Sequence, residues 1–194
     1  SLNNNFLCIS SLDFYGTLSN NQQQLNKTKK LQTENFIIDQ LTKEIGGNVH
    51  DKGIVKVTGS SEYDIDYSAR NTVEIHDDSK YFYSFDEENS WLTYDFIKRK
   101  VHPTKYSITT PSTWFEDRPI NWIIEGSNDK DNWEPLDKRK NERIFDQPYA
   151  TTHTFDIKTP AKYYRYLRLR QNGINSLNNN FLCISSLDFY GTLS

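Results

Sequence analysis

Three segments of this sequence combine residue types that could bind a ligand. Residues 60–70 read SSEYDIDYSAR, residues 76–78 read HDD, and residues 113–118 read TWFEDR. An aromatic face with a few directional polar groups is what a sugar ring or a peptide segment needs. We therefore expect a ligand surface here, although Trp114 and Phe115 could instead cap one end of the fold. The candidate ligand-binding residues are Tyr63, Asp64, Asp66, Arg70, His76, Trp114, Phe115 and Arg118.

The two aspartates of the first segment could also coordinate calcium. Asp64 and Asp66 offer hard oxygen ligands, but the surrounding residues do not supply a full loop of such ligands. A solvated acidic turn is the favoured interpretation. We predict no metal and no cofactor.

Residues suited to catalysis are scattered along the chain. The four histidines fall on different predicted elements: His50, His76, His102 and His153. The sequence has no H-E-x-x-H, G-x-S-x-G or G-x-G-x-x-G motif. A nucleophile needs an exposed position beside a base, whereas Cys183 lies between two apolar residues of a predicted strand. We predict that the protein is not an enzyme.

The composition describes a folded chain with balanced charge. It has 12 Tyr, 11 Phe and 4 Trp, and its 23 basic and 26 acidic residues give a net charge of −3. A nucleic-acid-binding face needs a basic excess, so no nucleic-acid partner is expected. No apolar run reaches the roughly 18 to 20 residues of a membrane span, so no transmembrane segment is predicted.

A long exact repeat divides the chain. Residues 1–19 and 176–194 both read SLNNNFLCISSLDFYGTLS and start 175 positions apart. The origin is either a tandem array with this period or an engineered copy of the last strand. The predicted organisation is a duplicate strand segment at 1–19, a polar linker at 20–35 and one domain at 36–194.

The repeat also changes the cysteine count. Cys8 and Cys183 are the same position in two copies, so each unit carries one thiol. A lone thiol cannot form a disulfide within the domain, and small secreted domains usually carry an even number. This favours a reducing compartment, and we predict a cytoplasmic location.

The apolar periodicity after the linker predicts one helix. Ile38, Leu41 and Ile45 recur at three and four residues. Thr33 or Asn35 could cap its start, and the glycine pair at 46–47 should end it.

Short strand patterns follow, each bounded by Gly, Pro, Asn or Asp. They lie near 54–57, 73–75, 81–85, 91–97, 105–109, 121–125, 152–157, 163–170 and 181–189. Two packed antiparallel sheets are the natural arrangement. Trp91, Trp122 and Trp133 lie on or beside these strands, so we predict that all three are core residues. The predicted fold class is an all-β sandwich with one short N-terminal helix.

Several strings, in this order, resemble the discoidin or coagulation-factor type C family. They are SWLTYDF at 90–96, YSI at 106–108, NWIIEGSND at 121–129, Trp133, YRYLRLR at 164–170 and LDFYG at 187–191. The resemblance covers roughly residues 36–194 and implies a galactose-binding-like jelly roll. The helix, the segment 53–55 and the single cysteine are most similar to the intracellular branch that often follows BTB domains.

The resemblance implies a non-catalytic binding module. Such a module would recognise a protein partner or a glycan through loops at one end of the sandwich. The alternative is a structural repeat unit whose duplicated strand links neighbouring units. One copy should fill the native slot, while the other either docks on an edge or is exchanged into an adjacent chain, giving strand-swapped self-association through residues 1–19 or 176–194.

Overall fold

A computed structural model describes residues 35–112, 117–158 and 162–194, so the predicted copy at 1–19 and nearly all of the linker lie outside the described residues. The described part contains helix α1 (Ile37–Ile45) and two short 3-10 helices, Ile65–Tyr67 and Ala69–Val73. The strands are β1 (Asn35–Phe36), β2 (Lys56–Gly59), β3 (Phe82–Tyr83), β4 (Trp91–Asp95), β5 (Val101–Thr109), β6 (Trp122–Ser127), β7 (Glu134–Arg139), β8 (Thr152–Asp156), β9 (Tyr166–Gln171), β10 (Cys183–Ile184) and β11 (Ser186–Leu193).

The strands form two main antiparallel sheets. One sheet has the order β1-β11-β5-β8, and the other has the order β2-β4-β9-β6-β7. Strands β3 and β10 form a small separate pair. The prediction of an all-β fold of two packed antiparallel sheets with one short N-terminal helix is confirmed.

Two element predictions were wrong. Residues 73–75 do not form a strand, because the chain there leaves a 3-10 helix in which Thr72 Oγ1 donates to the Ala69 carbonyl at 2.7 Å. Such local side-chain bonds compete with strand pairing. Strand β7 was missed because it is an edge strand in which only Leu136 and Asp137 are buried, so apolar alternation is weak.

The two sheets are joined by a polar contact inside the aromatic core. Trp122 is fully buried, and its Nε1 donates to Tyr106 Oη at 3.0 Å. Tyr106 Oη donates in turn to Asp137 Oδ2 at 2.7 Å. The prediction of a core residue holds for Trp122. Trp91 is only half-buried, and Trp133 lies half-exposed with the Arg168 guanidinium 3.8 Å from its ring centre.

The last strand closes the fold. β11 lies between β1 and β5, and Leu187 and Phe189 are fully buried. Phe189 meets Tyr94 of the other sheet edge-on at 5.6 Å. Asp188 lies on the opposite face of the strand, because successive side chains alternate.

Asp188 caps helix α1 across the fold. Its carboxylate accepts hydrogen bonds from the amides of Ile38 at 2.8 Å and Asp39 at 3.1 Å. The predicted cap at Thr33 or Asn35 was wrong, since the N-cap position is Phe36, which has no capping side chain. The predicted end is confirmed, because Gly46 adopts a left-handed conformation with φ of 65°.

Burial of this carboxylate predicts a pH-dependent stability. Burial raises the pKa of Asp188 to about 7 from its ordinary 3.8, although three backbone amides favour the charged form. Between these values, the folded state holds a proton that the unfolded chain has released. The free energy of unfolding should therefore fall as pH rises through this window, by at most about 1.4 kcal/mol per pH unit.

Urea unfolding of the wild type and Asp188→Asn, in steps from about pH 4.5 to 7.5, measures this contribution. The variant has no proton to release at this position. The stability difference between the two proteins should therefore change across the window, with the steeper fall in the wild type. Parallel curves would contradict the shift.

Candidate functional site

Five connections between strands gather at one end of the sandwich, which we call the loop end. They are residues 60–81, 84–90, 110–112 with 117–121, 140–151 and 172–182. Backbone hydrogen bonds tie them together, including Ser84 N to Leu182 O at 3.1 Å and Glu142 N to Ile120 O at 2.8 Å. Most of the exposed large apolar side chains of the described residues lie here: Tyr63, Ile65, Phe85, Ile144, Tyr149, Ile174 and Leu177. Such clustering is typical of an interaction surface.

An aromatic recess opens at the loop end. Its cavity has a volume of about 180 Å³, and its lining consists of Tyr63, Tyr67, Tyr81, Tyr83 and Phe181. Tyr63 is 54% exposed, and Ile65, 86% exposed, lies between two of the lining residues in the chain. The recess is therefore small, apolar and open to solvent.

The β3 and β10 pair positions the lining rings. Tyr83 pairs with Cys183 in this ladder, and its carbonyl accepts a hydrogen bond from Tyr63 N at 2.9 Å. Asn71 Nδ2 donates to the carbonyls of Asp66 at 2.7 Å and Tyr81 at 3.0 Å. These bonds hold the loop of Tyr63 against the strand of Tyr83.

Most ring faces in the recess contact other rings of the recess. Tyr83 and Phe181 stack with centres 4.8 Å apart and planes 11° apart. Tyr67 and Tyr81 are 4.9 Å apart. Tyr63 meets Tyr83 edge-on at 5.6 Å. The recess therefore presents ring edges more than a flat ring platform.

Asp117 supports the recess from behind. Its buried carboxylate accepts hydrogen bonds from Tyr83 Oη at 2.6 Å, Asn175 Nδ2 at 2.9 Å and Asn179 Nδ2 at 2.8 Å. Burial, and then the hydrogen bond to Asp117, raise the pKa of the Tyr83 phenol. The phenol is therefore protonated at neutral pH and donates to Asp117.

A second cavity, the arginine recess, has a volume of about 330 Å³. Its lining consists of Arg118, Arg143, Asp146, Gln147, Pro148, Ser176 and Leu177. Arg143 contacts Asp146 at 3.2 Å. Arg118 is 4% exposed and donates from Nη1 to the Pro111 carbonyl at 3.1 Å and from Nη2 to the Gln147 carbonyl at 3.4 Å.

The structure separates the candidate residues of the sequence. Tyr63 lines the aromatic recess, with Asp64 and Asp66 on the exposed turn that follows. Arg118 lines the arginine recess. Trp114 and Phe115 lie outside the described residues.

The other two candidates point toward the helix side of the domain. Arg70 binds Asp51 through Nη2 at 2.5 Å, and His76 Nε2 lies 2.9 Å from Asp39 of α1. Their role as ligand contacts remains a prediction.

Sequence reasoning missed most of the recess lining. One available signal was the pattern Tyr81-Phe82-Tyr83, in which Phe82 is fully buried and tyrosines occupy the alternate positions. A tyrosine at every second position of a short strand indicates an aromatic surface opposite the core. No local signal joins Asp117 to Asn175 or Asn179, which lie 58 and 62 residues away.

The thiol of Cys183 is inaccessible in this fold. Cys183 is buried and unpaired in the described residues, and burial raises its pKa far above the ordinary value. Across residues 35–112, 117–158 and 162–194, no group of three or more His, Cys, Asp or Glu side chains could hold a metal ion. No helix in the same ranges is long and apolar enough to cross a membrane.

The sandwich and its loop end define a discoidin-type domain with the galactose-binding-like fold. The Sad1/UNC-like C-terminal family matches residues 69–193, and the chain belongs to that family. This supports the discoidin-type resemblance, while the BTB-associated branch remains a prediction.

Two curated relatives are ubiquitin ligases. Ufd4 of Drosophila melanogaster, an E3 ubiquitin-protein ligase, is 26% identical over 144 residues, covering 72% of this chain and 5% of the ligase. The E3 ubiquitin-protein ligase hecd-1 of Caenorhabditis elegans is 30% identical over 111 residues, covering 56% of this chain and 4% of the ligase. The chain thus spans about one twentieth of the length of these relatives.

Solved structures share the fold at low identity. The module CpGH89CBM32-5 of Clostridium perfringens, in complex with GalNAc-beta-1,3-galactose, has a TM-score of 0.59 and 12% identity, covering 72% of this chain and 97% of that chain. A fucolectin from striped bass (Morone saxatilis) serum has a TM-score of 0.57 and 17% identity, covering 71% and 47%. The family 32 module of C. perfringens NanJ, in complex with galactose, has a TM-score of 0.55 and 13% identity, covering 72% and 95%.

The Asp117 contacts predict which aspartates of the loop end matter for stability. Asp117→Ala removes an acceptor from three donors and should lower the free energy of unfolding by about 2 to 4 kcal/mol. Asp64→Ala, at an exposed position, should change it by less than about 0.5 kcal/mol. Urea unfolding of both variants beside the wild type measures the two effects. Similar losses in both would contradict the support role of Asp117.

Proposed function

We propose that this domain is a non-catalytic binding module that contacts a protein partner through the aromatic recess. The observation that carries the proposal is the exposed apolar surface around an already ordered cavity. Tyr63 and Ile65 remain exposed beside the recess, although a folded chain gains by burying such side chains. A partner segment that inserts one apolar side chain would cover them.

The ring geometry favours a protein segment over a sugar. A sugar ring needs a flat aromatic face and polar groups around it, but Tyr83 and Phe181 present their faces to each other. The lining of the recess also contains no charged or amide side chain. An apolar side chain fits a cavity walled by ring edges and needs no directional partner.

A glycan is the second candidate ligand. Similar folds have been solved with bound sugars, and Tyr63 keeps about half of its surface available for stacking. These folds are too distant in sequence to transfer a ligand. They are nevertheless a reason to test glycan binding in the same experiments.

The ligase relatives suggest a setting for partner binding. In a longer chain similar to them, this domain would select a partner in the cytoplasm, and ubiquitin transfer would belong to other parts of that chain. The buried thiol at Cys183 suits this division, because a thiol that forms ubiquitin thioesters must be accessible.

Loss of capture by recess variants tests the proposal. Tyr63→Ala and Ile65→Ser should each reduce recovery of the partners that the wild-type chain enriches by about tenfold or more, as expected for central apolar contacts. Quantitative mass spectrometry of affinity captures measures this change. Thermal melts should show that both variants remain folded.

Tyr163→Ala is the matched control. Tyr163 is 42% exposed and lies outside the loop end, ahead of β9. This variant should capture the same partners as the wild type. Equal loss in all three variants, or no loss in the recess pair, would contradict the proposal. Binding of the wild type to a glycan array that is lost with Tyr63→Ala would favour the second candidate.

The exact repeat supports a structural role as an alternative. Residues 176–194 form β10, β11 and the turn before them, and Leu182, Ile184, Leu187 and Phe189 of this segment are all fully buried. Residues 1–19 have the identical sequence and so carry the same apolar side chains for such a slot. In an array with a period of 175 residues, we infer that the copy would fill the slot of a neighbouring unit.

Deletion of residues 1–19 tests strand exchange. The linker of residues 20–35 spans at most about 53 to 58 Å when extended, which is enough to reach a neighbouring domain. If exchange occurs, the full chain should form larger particles and the deletion variant should be a folded monomer. Size-exclusion chromatography with light scattering measures both. The same number of chains per particle in both proteins would exclude exchange.

A further inference from the structure

The guanidinium of Arg118 carries a charge that is not neutralised within the described residues. Arg118 is 4% exposed, and its Nε is buried with no hydrogen-bond acceptor. Its two contacts, with Pro111 and Gln147, are to neutral carbonyl groups. A buried charge usually has a partner of opposite charge, because removal from water costs several kcal/mol.

Most other arginines of the described residues form an ion pair with a carboxylate. Arg70, Arg139, Arg143, Arg165, Arg168 and Arg170 each contact a carboxylate. Arg99 is exposed. Arg118 is the buried exception among the described residues.

In several of these ion pairs, the arginine donates from Nε and Nη2, which lie on the same edge of the guanidinium. Arg165 donates to Asp95 from Nε at 2.8 Å and Nη2 at 3.1 Å, and Arg170 donates to Glu125 from the same two atoms at 3.2 and 2.9 Å. In Arg118, the corresponding edge has no acceptor at Nε and only a long contact, 3.4 Å, at Nη2. This is the edge that matches a planar carboxylate.

Neither nearby aspartate neutralises Arg118. Asp117 precedes it in the chain, but the Asp117 carboxylate is engaged by a tyrosine and two asparagines. Asp146 lies in the arginine recess and pairs with Arg143. The lining therefore contains two guanidinium groups and one carboxylate, which leaves an excess of positive charge.

We propose that the arginine recess binds a carboxylate of a protein partner, an Asp or Glu side chain or a chain terminus, through Arg118. The cavity of about 330 Å³ has room for such a group. Leu177, 49% exposed, and Pro148 provide apolar surface for the methylene groups of an acidic side chain. This deepens the proposed function, because the same partner would contact both recesses of the loop end.

A titration with a small carboxylate tests the site without a known partner. The probe is N-acetylglutamate methylamide, and the matched neutral probe is N-acetylglutamine methylamide. The readout is the Arg Nε–H region of a proton–nitrogen correlation spectrum of the full chain, in which the Arg118 signal is identified by its loss in Arg118→Lys. The acid should shift this signal saturably, whereas the amide should not.

Three variants refine the readout through the shifts of the backbone amide signals of Asp146, Gln147 and Tyr149. Arg118→Lys should weaken acid binding by about tenfold or more, the loss expected for one charge-assisted hydrogen bond. Arg143→Gln should also weaken it, because Asp146 would then repel the probe. Arg99→Gln is the control and should bind as the wild type does. If the lysine variant does not fold, the comparison of Arg143→Gln with Arg99→Gln still decides.

Several results would overturn the proposal. They are equal shifts with the acid and the amide, equal binding by Arg143→Gln and Arg99→Gln, or saturable binding of glucuronate but not of the glutamate probe. The last result would assign the recess to an acidic sugar. Failure here with loss of capture in Tyr63→Ala would leave the proposed function standing. If the acid probe binds as expected but Tyr63→Ala still captures the partners, the carboxylate site stands and the proposed function of the aromatic recess does not.

Discussion

The carboxylate of Asp188 holds the start of helix α1 against the last strand, and this contact joins the N-terminal elements β1 and α1 to the sheet. It joins residues 150 positions apart in the chain. Strand β1 runs directly into α1, and its ladder partner among the described strands is β11. Without the last strand, β1 would lose its partner, α1 its cap and β5 one of its two neighbours. The segment that completes the fold is also the segment that the sequence repeats exactly.

Periodic patterns predicted most of the fold, because the spacing of apolar residues in a helix or strand depends only on residues close together in the chain. Apolar spacing located α1, and alternation located the strands from β4 to β11 apart from β7. Polar contacts between distant residues left no such pattern. Asp188 is a single acid between Leu187 and Phe189, and only the folded chain shows that a helix N-terminus meets it. The burial of Trp122 was expected, but the hydrogen-bond partner of its indole, Tyr106, depends on the packing of two sheets.

The residue types of the candidate site could be predicted from the sequence, but the contacts of each side chain could not. The loop containing Tyr63 was recognised by its aromatic and acidic residues, and this tyrosine does line a cavity. The same reasoning grouped Arg70 and His76 with it, whereas these two side chains pair with Asp51 and Asp39 and line neither recess. Loop composition does not determine which neighbouring acid a basic side chain meets.

Two consecutive residues, Asp117 and Arg118, divide the loop end into two different surfaces. They carry opposite charges, yet their side chains bond to different, neutral groups in the described structure. Asp117 is satisfied by three neutral donors and supports an aromatic cavity, whereas Arg118 receives two neutral carbonyl contacts and keeps its charge. Because both residues are buried in the same connection and are held by hydrogen bonds to other connections, the spacing between an apolar cavity and a cationic cavity is also constrained. Two such requirements at a fixed spacing discriminate between partners more strongly than either cavity could alone.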